Sequence, residues 1–266
     1  MTKRLETTQL EYAPKGLIGV LTPQANTTVE PEFAILCPPG VGYLNARMVS
    51  AKRGMEERLA DYGENIDTNI DQFGNAPITA LALAVTGASY LIGRDAEDAL
   101  VERIRAERGL PLVTAARAVC DALALLDAKQ VALISPYPES LTAKSAAYWA
   151  SRGFSIGDIV QLQTDADSFH PIYSMPSDAA AKALAGLKNT GADAIVLLGT
   201  GMPTLAPIAQ CAGSGDWSAD WSGPPVISSL FCVAWRSAAA AAGRQPDRAD
   251  LEHWLSAAHW GGRLDG

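Results

Sequence analysis

Residues 16–32 read GLIGVLTPQANTTVEPE and combine a buried strand, a polar turn and the start of a helix. A compact apolar run covers 17–21 and ends at Thr22-Pro23. Small polar side chains follow, where the first turn of a helix leaves its backbone N–H groups without intrahelical partners. The stretch predicts a strand covered on both faces, followed by a turn that suits an anion such as a carboxylate.

The same alternation continues along the chain. Further apolar runs cover 43–49, 81–86, 110–114, 131–134, 156–162, 194–198 and 226–229. Helical stretches separate most of them, including a charged one predicted over 95–108 with Asp95 as its cap. Continuous apolar strands that alternate with helices are typical of parallel sheets. The sequence therefore predicts an α/β protein with a doubly wound parallel sheet in each half.

Ligands of such sheets bind beyond the carboxyl ends of the strands. That rule selects four turns, at 22–28, 86–90, 135–140 and 199–205. The first turn is equally compatible with an ordinary helix cap formed by its polar residues. Tyr137, between two prolines in the third turn, either packs or acts as a hydrogen-bond donor or acid. The second and fourth turns contain small residues that let backbone N–H groups approach a ligand.

Composition excludes several classes of function. The chain has 266 residues and a formal net charge of -8, without a cluster of Lys or Arg, which argues against nucleic acid as a partner. No signal peptide is read at the N-terminus and no apolar run is long enough to span a bilayer, so a soluble, cytoplasmic protein is expected. The four cysteines and three histidines have no metal-ligand spacing, and no dinucleotide or P-loop motif is present. We therefore expect neither a metal nor an organic cofactor.

Two segments resemble a known family. PQANTTVEPE at 23–32 is similar to a P-x-x-N-T-T-x-E motif, and MPTL at 202–205 is similar to M-P-[ST]-L. VALISPY at 131–137 and PVISS at 225–229 add supporting matches. With these motifs the chain resembles the maleate isomerase and arylmalonate decarboxylase branch of the aspartate/glutamate racemase superfamily, over nearly its whole length.

The resemblance implies two pseudo-symmetric domains with the active site in the cleft between them. The first domain would comprise 1–117 and 224–266, and the second 118–223. The chain would cross between them near Ala118 and Gly223. The resemblance also implies a homo-oligomer and a small carboxylate or dicarboxylate as substrate.

Roles for individual residues follow from the same resemblance. Asn26 and Thr27 would bind a substrate carboxylate, Thr86 and Thr200 would stabilise a developing oxyanion, and Tyr137 would donate a proton. The other predicted substrate-binding residues are Gly87, Ser89, Gly199, Gly201 and Met202.

Both family cysteine positions are substituted in this chain. Members of the family use one cysteine from each half, and the matching positions are Val85 and Gly199. A cysteine thiolate can take a proton or attack carbon. Valine and glycine have no group that can do either. Of the cysteines present, Cys37, Cys120 and Cys211 fall away from the strand ends, and Cys232 remains a remote substitute.

Three hypotheses for function stay open at this point. The first is an enzyme that decarboxylates, or acts as a lyase or hydrolase, through oxyanion stabilisation, because decarboxylation needs only carbanion stabilisation and one proton donor. The second is a cis-trans isomerase that uses unexpected residues. The third is a protein that binds a small carboxylate without turning it over.

Overall fold

The computed structural model describes residues 10–164, 170–212 and 221–264. Within these ranges eight strands form two parallel sheets of four strands each. The strands are β1 (Gly16–Pro23), β2 (Val41–Met48), β3 (Ala80–Leu83), β4 (Leu112–Thr114), β5 (Gln130–Ser135), β6 (Ser155–Gln161), β7 (Ala194–Leu197) and β8 (Val226–Ser228). The strand orders β2-β1-β3-β4 and β6-β5-β7-β8 are the same topology repeated. The expected α/β fold with two pseudo-symmetric halves is confirmed.

Helices cover these sheets and bury most of their strands, whereas the edge strand β6 has no buried residue. Those in the described ranges are α1 (Val29–Leu36), α2 (Met55–Glu64), α3 (Ile66–Asp71), α4 (Thr86–Arg108), α5 (Ala115–Leu125), α6 (Glu139–Ser151), α7 (Ser177–Gly186), α8 (Leu205–Ala212), α9 (Ser229–Ala241) and α10 (Arg248–Leu255). Every residue of β1 is buried, as the continuous apolar run predicts for a strand covered on both faces. The alanine-rich helix α9 lies against β1, β3 and β4 of the first sheet.

Helix α4 begins earlier than the sequence predicted. We expected a helix capped by Asp95, but α4 starts at Thr86, directly after the extended residue Val85. Gly93 interrupts the helix with a φ of 78° and a ψ of 172°, so the predicted segment is only the part beyond a kink. A left-handed φ is accessible to glycine without steric cost. The second strand-end turn is therefore a helix N-terminus.

The chain passes between the halves at different points from those predicted. Helix α5 packs against β4 and α9 of the first half, so the outward crossing follows Leu125 and does not occur at Ala118. Strand β8 pairs with β7 in the second sheet, whereas the limit at 223/224 assigned it to the first domain. The return crossing lies between Ser228 and Ser229, where β8 ends and α9 begins. The crossings therefore follow from packing, because α5 contacts the first half and β8 belongs to the sheet of the second half.

Among the residues that the structure describes, no helix combines the length and apolar character that crossing a membrane requires.

Candidate active site

A cavity lies between the two halves, at the carboxyl ends of β1, β3, β5 and β7. Its volume is about 40 Å³, enough for a few water molecules. The lining residues are Pro23, Met55, Arg58, Leu59, Tyr62, Val85, Thr86, Tyr137, His170, Ile172, Tyr173, Gly199, Thr200 and Gly201. Both halves contribute to this wall, as the expected cleft site requires.

Six residues singled out in the sequence meet in this cavity. They are Val85, Thr86, Tyr137, Gly199, Thr200 and Gly201. Val85 and Thr86 come from the junction of β3 and α4, and Tyr137 from the turn after β5. Gly199 to Gly201 follow β7. Side chains and backbone from three separate turns thus meet in one cavity, as expected because ligands bind beyond the strand ends.

Tyr137 enters the cavity as a neutral phenol. Burial raises the pKa of Tyr137 well above its ordinary value, and the nearby phenol of Tyr173 raises it further. The hydroxyl of Thr86 lies close enough to lower this pKa slightly, although the two hydroxyls are not aligned as a hydrogen bond. Thr86 Oγ1 is consequently buried without a hydrogen-bond partner among the described residues. A ligand oxygen between the two groups would supply the missing acceptor, because buried polar groups are normally paired.

The fourth turn offers backbone N–H groups. No acceptor within the described ranges takes the N–H of Gly199, Thr200 or Gly201. Gly199 has a φ of +86°, and a Cβ placed there would lie 3.1 Å from the Tyr137 hydroxyl oxygen. A Cβ at Gly201 would lie 2.4 Å from the Tyr173 ring. Both glycines therefore keep the backbone close to the two phenols.

The hydroxyl of Thr200 has a structural partner. It donates to the carbonyl oxygen of Ala84 at 2.7 Å, which ties the turn after β7 to the end of β3. The donor that Thr200 can offer a ligand is therefore its backbone N–H. Its predicted role at the oxyanion stays a prediction, with this group as the contact.

Three other predicted residues lie behind the cavity wall. Gly87 is covered by Leu59, since a Cβ on Gly87 would lie 2.7 Å from Leu59 Cδ1. Ser89 is buried one turn further along α4, and its hydroxyl has no partner in the described part of the chain. Met202 is fully buried. Direct contact of these three residues with a substrate stays a prediction, and their placement favours supporting roles.

Asn26 and Thr27 are bound to the protein itself. Asn26 Oδ1 accepts from the N–H groups of Thr28 and Val29, at 2.8 and 3.0 Å, and its Nδ2 donates to the Thr200 carbonyl at 3.1 Å. The hydroxyl of Thr27 is exposed and donates to the Tyr173 carbonyl at 3.2 Å. These contacts are those of a helix cap and of a tie between the halves. Carboxylate binding by either residue stays a prediction.

A buried carboxylate reinforces that tie. Glu32, on α1, accepts from the Thr204 N–H at 2.6 Å and from the Thr204 hydroxyl at 3.3 Å. Thr204 also bonds to Ser228 at 2.8 Å, and Thr28 donates to the Gly201 carbonyl at 2.7 Å. The motifs at 23–32 and 202–205 therefore contact each other, and the first motif positions the fourth turn.

We expect Glu32 to make stability depend on pH. Burial raises its pKa from 4.5 to about 7, so the native state holds this proton more tightly than the unfolded chain. Its contribution to the free energy of unfolding is present below pH 4.5 and falls by about 3 kcal/mol as the pH rises to 7. Urea unfolding of the wild type and Glu32→Gln across this range measures the difference. A constant difference between the two proteins would contradict the assignment.

Four polar or ionisable wall residues were not selected from the sequence. Arg58 and Tyr62 come from α2, and His170 and Tyr173 from the segment between β6 and α7. They do not follow a strand end, so the rule used for the other turns could not find them. The sequence did contain a weak signal for Arg58, because this cation lies next to apolar positions on α2.

No thiol reaches the cavity. Its wall, as far as the chain is described, contains none of the four cysteines. Burial raises the pKa of Cys37 and Cys120 to about 12 and that of Cys211 to about 11. Cys232 is fully buried on α9, and burial raises its pKa as well. All four thiols are thus protonated at neutral pH, and Cys232 has no access to a ligand in the cavity.

Comparisons with known proteins agree with this arrangement. The sequence profile of the arylmalonate decarboxylase family matches residues 18–250. The maleate isomerase of Pseudomonas putida is 25% identical over 234 residues, covering 82% of this chain and 88% of that protein. A cysteine-to-serine variant of Nocardia farcinica maleate cis-trans isomerase, with a covalently bound succinylcysteine intermediate, superimposes with a TM-score of 0.69 at 25% identity, covering 83% of this chain and 90% of that one.

The fold also matches a structure of unliganded arylmalonate decarboxylase, with a TM-score of 0.65 at 20% identity over 87% of this chain and 94% of that chain. The family profile spans most of the sequence, and the two-sheet architecture recurs in these structures. The chain therefore belongs to the arylmalonate decarboxylase family, in the maleate isomerase and arylmalonate decarboxylase branch of the aspartate/glutamate racemase superfamily.

Proposed function

We propose that this protein is a cofactor-independent enzyme that acts on a small dicarboxylate by stabilising an enolate-like oxyanion, with decarboxylase- or lyase-like chemistry. One observation carries the proposal. The buried hydroxyl of Thr86, the neutral phenol of Tyr137 and the N–H groups of Thr200 and Gly201 lie around one small cavity, and the described residues provide no acceptor for the Thr86 hydroxyl or for these N–H groups. Donors arranged before the reaction are the usual means of stabilising negative charge in a transition state.

Decarboxylation uses these groups in a simple order. The bond between the α-carbon and one carboxylate breaks, carbon dioxide leaves, and the electron pair moves onto the remaining carboxylate as an enediolate. Thr86, Thr200 and Gly201 donate to its oxygens, which lowers the energy of the charge. Tyr137 then transfers its phenolic proton to the α-carbon and recovers a proton from water. The raised pKa of Tyr137 keeps the phenol protonated at neutral pH, as this step requires.

The absence of a thiol favours this chemistry over isomerisation through a covalent cysteine adduct. The Nocardia farcinica structure contains a succinylcysteine, whereas Val85 and Gly199 line the cavity here. We propose that these two residues occupy the family cysteine positions. A cis-trans isomerase of different mechanism is the second candidate, favoured by the similarity to maleate isomerases.

A protein that binds a carboxylate without catalysis is the third candidate. Burial places the pKa of Tyr137 far above neutrality and that of His170 at about 4. Neither group therefore has the pKa near the operating pH that favours general acid–base catalysis. Binding without turnover would be the expected result if the donor pocket acted alone.

Proton NMR in D2O distinguishes these functions. We expect the wild type to convert a malonate derivative, with loss of a carboxylate and deuterium at the α-carbon. Cis-trans conversion would indicate the isomerase, and thermal stabilisation without any product would indicate the binding protein. If neither turnover nor stabilisation occurs with any member of the panel, the proposal is wrong.

Thr86→Val tests the donor that carries the proposal. We expect the turnover number to fall about tenfold, because one neutral hydrogen bond to the transition state is lost. Ser229→Ala is the matched control, since the Ser229 hydroxyl is also buried without a partner in the described chain and does not line the cavity. Equal losses in the two variants would show that Thr86 acts only through packing.

A further inference from the structure

The α2 side of the cavity carries a positive charge that the proposed chemistry does not use. Arg58 lines the cavity, and its Nη1 donates to the Arg53 carbonyl at 2.5 Å. Within the described ranges no carboxylate lies within ion-pair distance of Arg58. The neighbouring acid on α2, Glu56, is paired with Lys144 and accepts from Ser140 at 2.9 Å. Arg58 is thus a partly exposed cation on the cavity wall, with no counterion among the residues that the structure describes.

His170 adds a directed donor beside it. Its ring is stacked on the Tyr173 ring, with a centroid distance of 3.7 Å and an interplanar angle of 9°. Nδ1 accepts from the N–H of Ile172 at 3.2 Å, so the neutral ring carries its proton on Nε2. Burial and the charge of Arg58 lower the pKa of His170 to about 4. At neutral pH the imidazole therefore remains uncharged and offers one N–H.

The described part of the wall does not balance this charge. Among the lining residues that the structure describes there is no aspartate or glutamate. The other groups on this side are Met55, Leu59, Tyr62, Ile172 and Tyr173. Burial raises the pKa of the Tyr62 and Tyr173 phenols, and the positive charge of Arg58 offsets part of that rise. An anion at this side would pair with the Arg58 guanidinium, and a charge pair near a protein surface is stronger than the same pair in bulk water.

We infer that Arg58 is a specificity residue that binds a second anionic group of the substrate, with His170 Nε2–H donating to the same group. The inference rests on the proposed function, in which the first carboxylate lies at Thr86, Tyr137 and the fourth turn. It assigns the two carboxylates of a short diacid to two sets of residues: neutral donors hold the carboxylate on which the negative charge develops, and a cation holds the other. Arg58 then acts in binding, and the developing charge depends on the neutral donors.

The test compares maleate with its monomethyl ester, and a small malonate with its monoester. For whichever diacid the wild type converts, we expect Arg58→Leu to raise KM by 10- to 100-fold and to change kcat less than threefold. Arg58→Lys should recover part of the affinity, because a charge without the planar guanidinium remains. For the monoester the same variants should change KM little. Equal effects on diacid and monoester would overturn the inference.

Arg53→Leu is the matched control, since it removes a cation from the same region outside the cavity wall. Isothermal calorimetry with each diacid separates this inference from the proposed function. Diacid binding that needs Arg58, without turnover, would support the anion site and refute the enzyme. Turnover that is insensitive to Arg58 would support the enzyme and refute the anion site. If no diacid bound the wild type, both would be wrong.

Discussion

Replacing Tyr137 by phenylalanine is expected to lower kcat by about 10²- to 10³-fold, with KM changed only a few-fold. The hydroxyl lies close to the turn after β7, since a Cβ on Gly199 would lie 3.1 Å from its oxygen. In the proposed reaction it is the source of the proton for the α-carbon. The ring itself is 6% exposed and packs edge-on against Tyr90, so the variant keeps the packing.

Steady-state rates on the substrate found by NMR measure this effect. Tyr90→Phe is the control, because the Tyr90 hydroxyl is buried without a partner in the described ranges and lies outside the cavity wall. It should retain wild-type kcat. If Tyr137→Phe also retained it, the phenol would be a packing residue, which is the alternative that the sequence left open.

Arg152→Met should destabilise the protein by about 3–5 kcal/mol. Arg152, at the end of α6, donates to the Glu97 carboxylate at 2.6 Å and to Asp98 at 2.8 Å. Glu97 lies on α4 in the other half and is only 1% exposed. It also accepts from Thr114 at 2.6 Å and from the Tyr148 hydroxyl. Without Arg152 this carboxylate would remain buried with neutral donors alone, which is the costly outcome.

Urea unfolding of single and double variants measures the coupling. Adding Glu97→Gln to Arg152→Met removes the uncompensated charge and should recover most of the lost stability. Arg248→Met is the surface control: Arg248 pairs with Glu252 at 2.8 Å, and both side chains are more than half exposed. Its effect should stay below about 1 kcal/mol. A double variant as unstable as Arg152→Met would mean that packing, rather than charge, explains the loss.

Much of the fold was readable because most of its strands are continuous apolar runs, typical of strands covered on both faces. Every one of the eight runs became a strand, including the edge strands β2 and β6, which are partly exposed. Element ends were less accurate where a glycine acts. Gly93 separates the charged part of α4 from its buried first turn, and nothing in the local pattern joins the two. The crossings between halves depend on which sheet α5 and β8 contact, which is tertiary information.

The residues of the candidate site also differ in how far the sequence predicted their positions. Thr86, Tyr137 and the fourth turn follow strands, so their convergence followed from topology. Arg58 lies within a helix and His170 in an irregular segment, and only the packed structure brings them to the cavity. Asn26 illustrates the converse case. Its position was correctly placed at a turn, but its amide already bonds to the backbone of Thr28, Val29 and Thr200, contacts that the sequence did not indicate.

The left-handed backbone at Gly199 constrains how this protein can evolve. The glycine codons GGU and GGC become cysteine codons by one base change, so a single mutation can place a thiol at residue 199 where one of them is used. Any side chain there would have to adopt a φ of +86° and a Cβ position 3.1 Å from the Tyr137 oxygen. Left-handed geometry alone costs about 1–2 kcal/mol for a residue other than glycine. A side chain at residue 199 would therefore strain the loop and press on the Tyr137 hydroxyl, so gaining a thiol there carries a cost in stability.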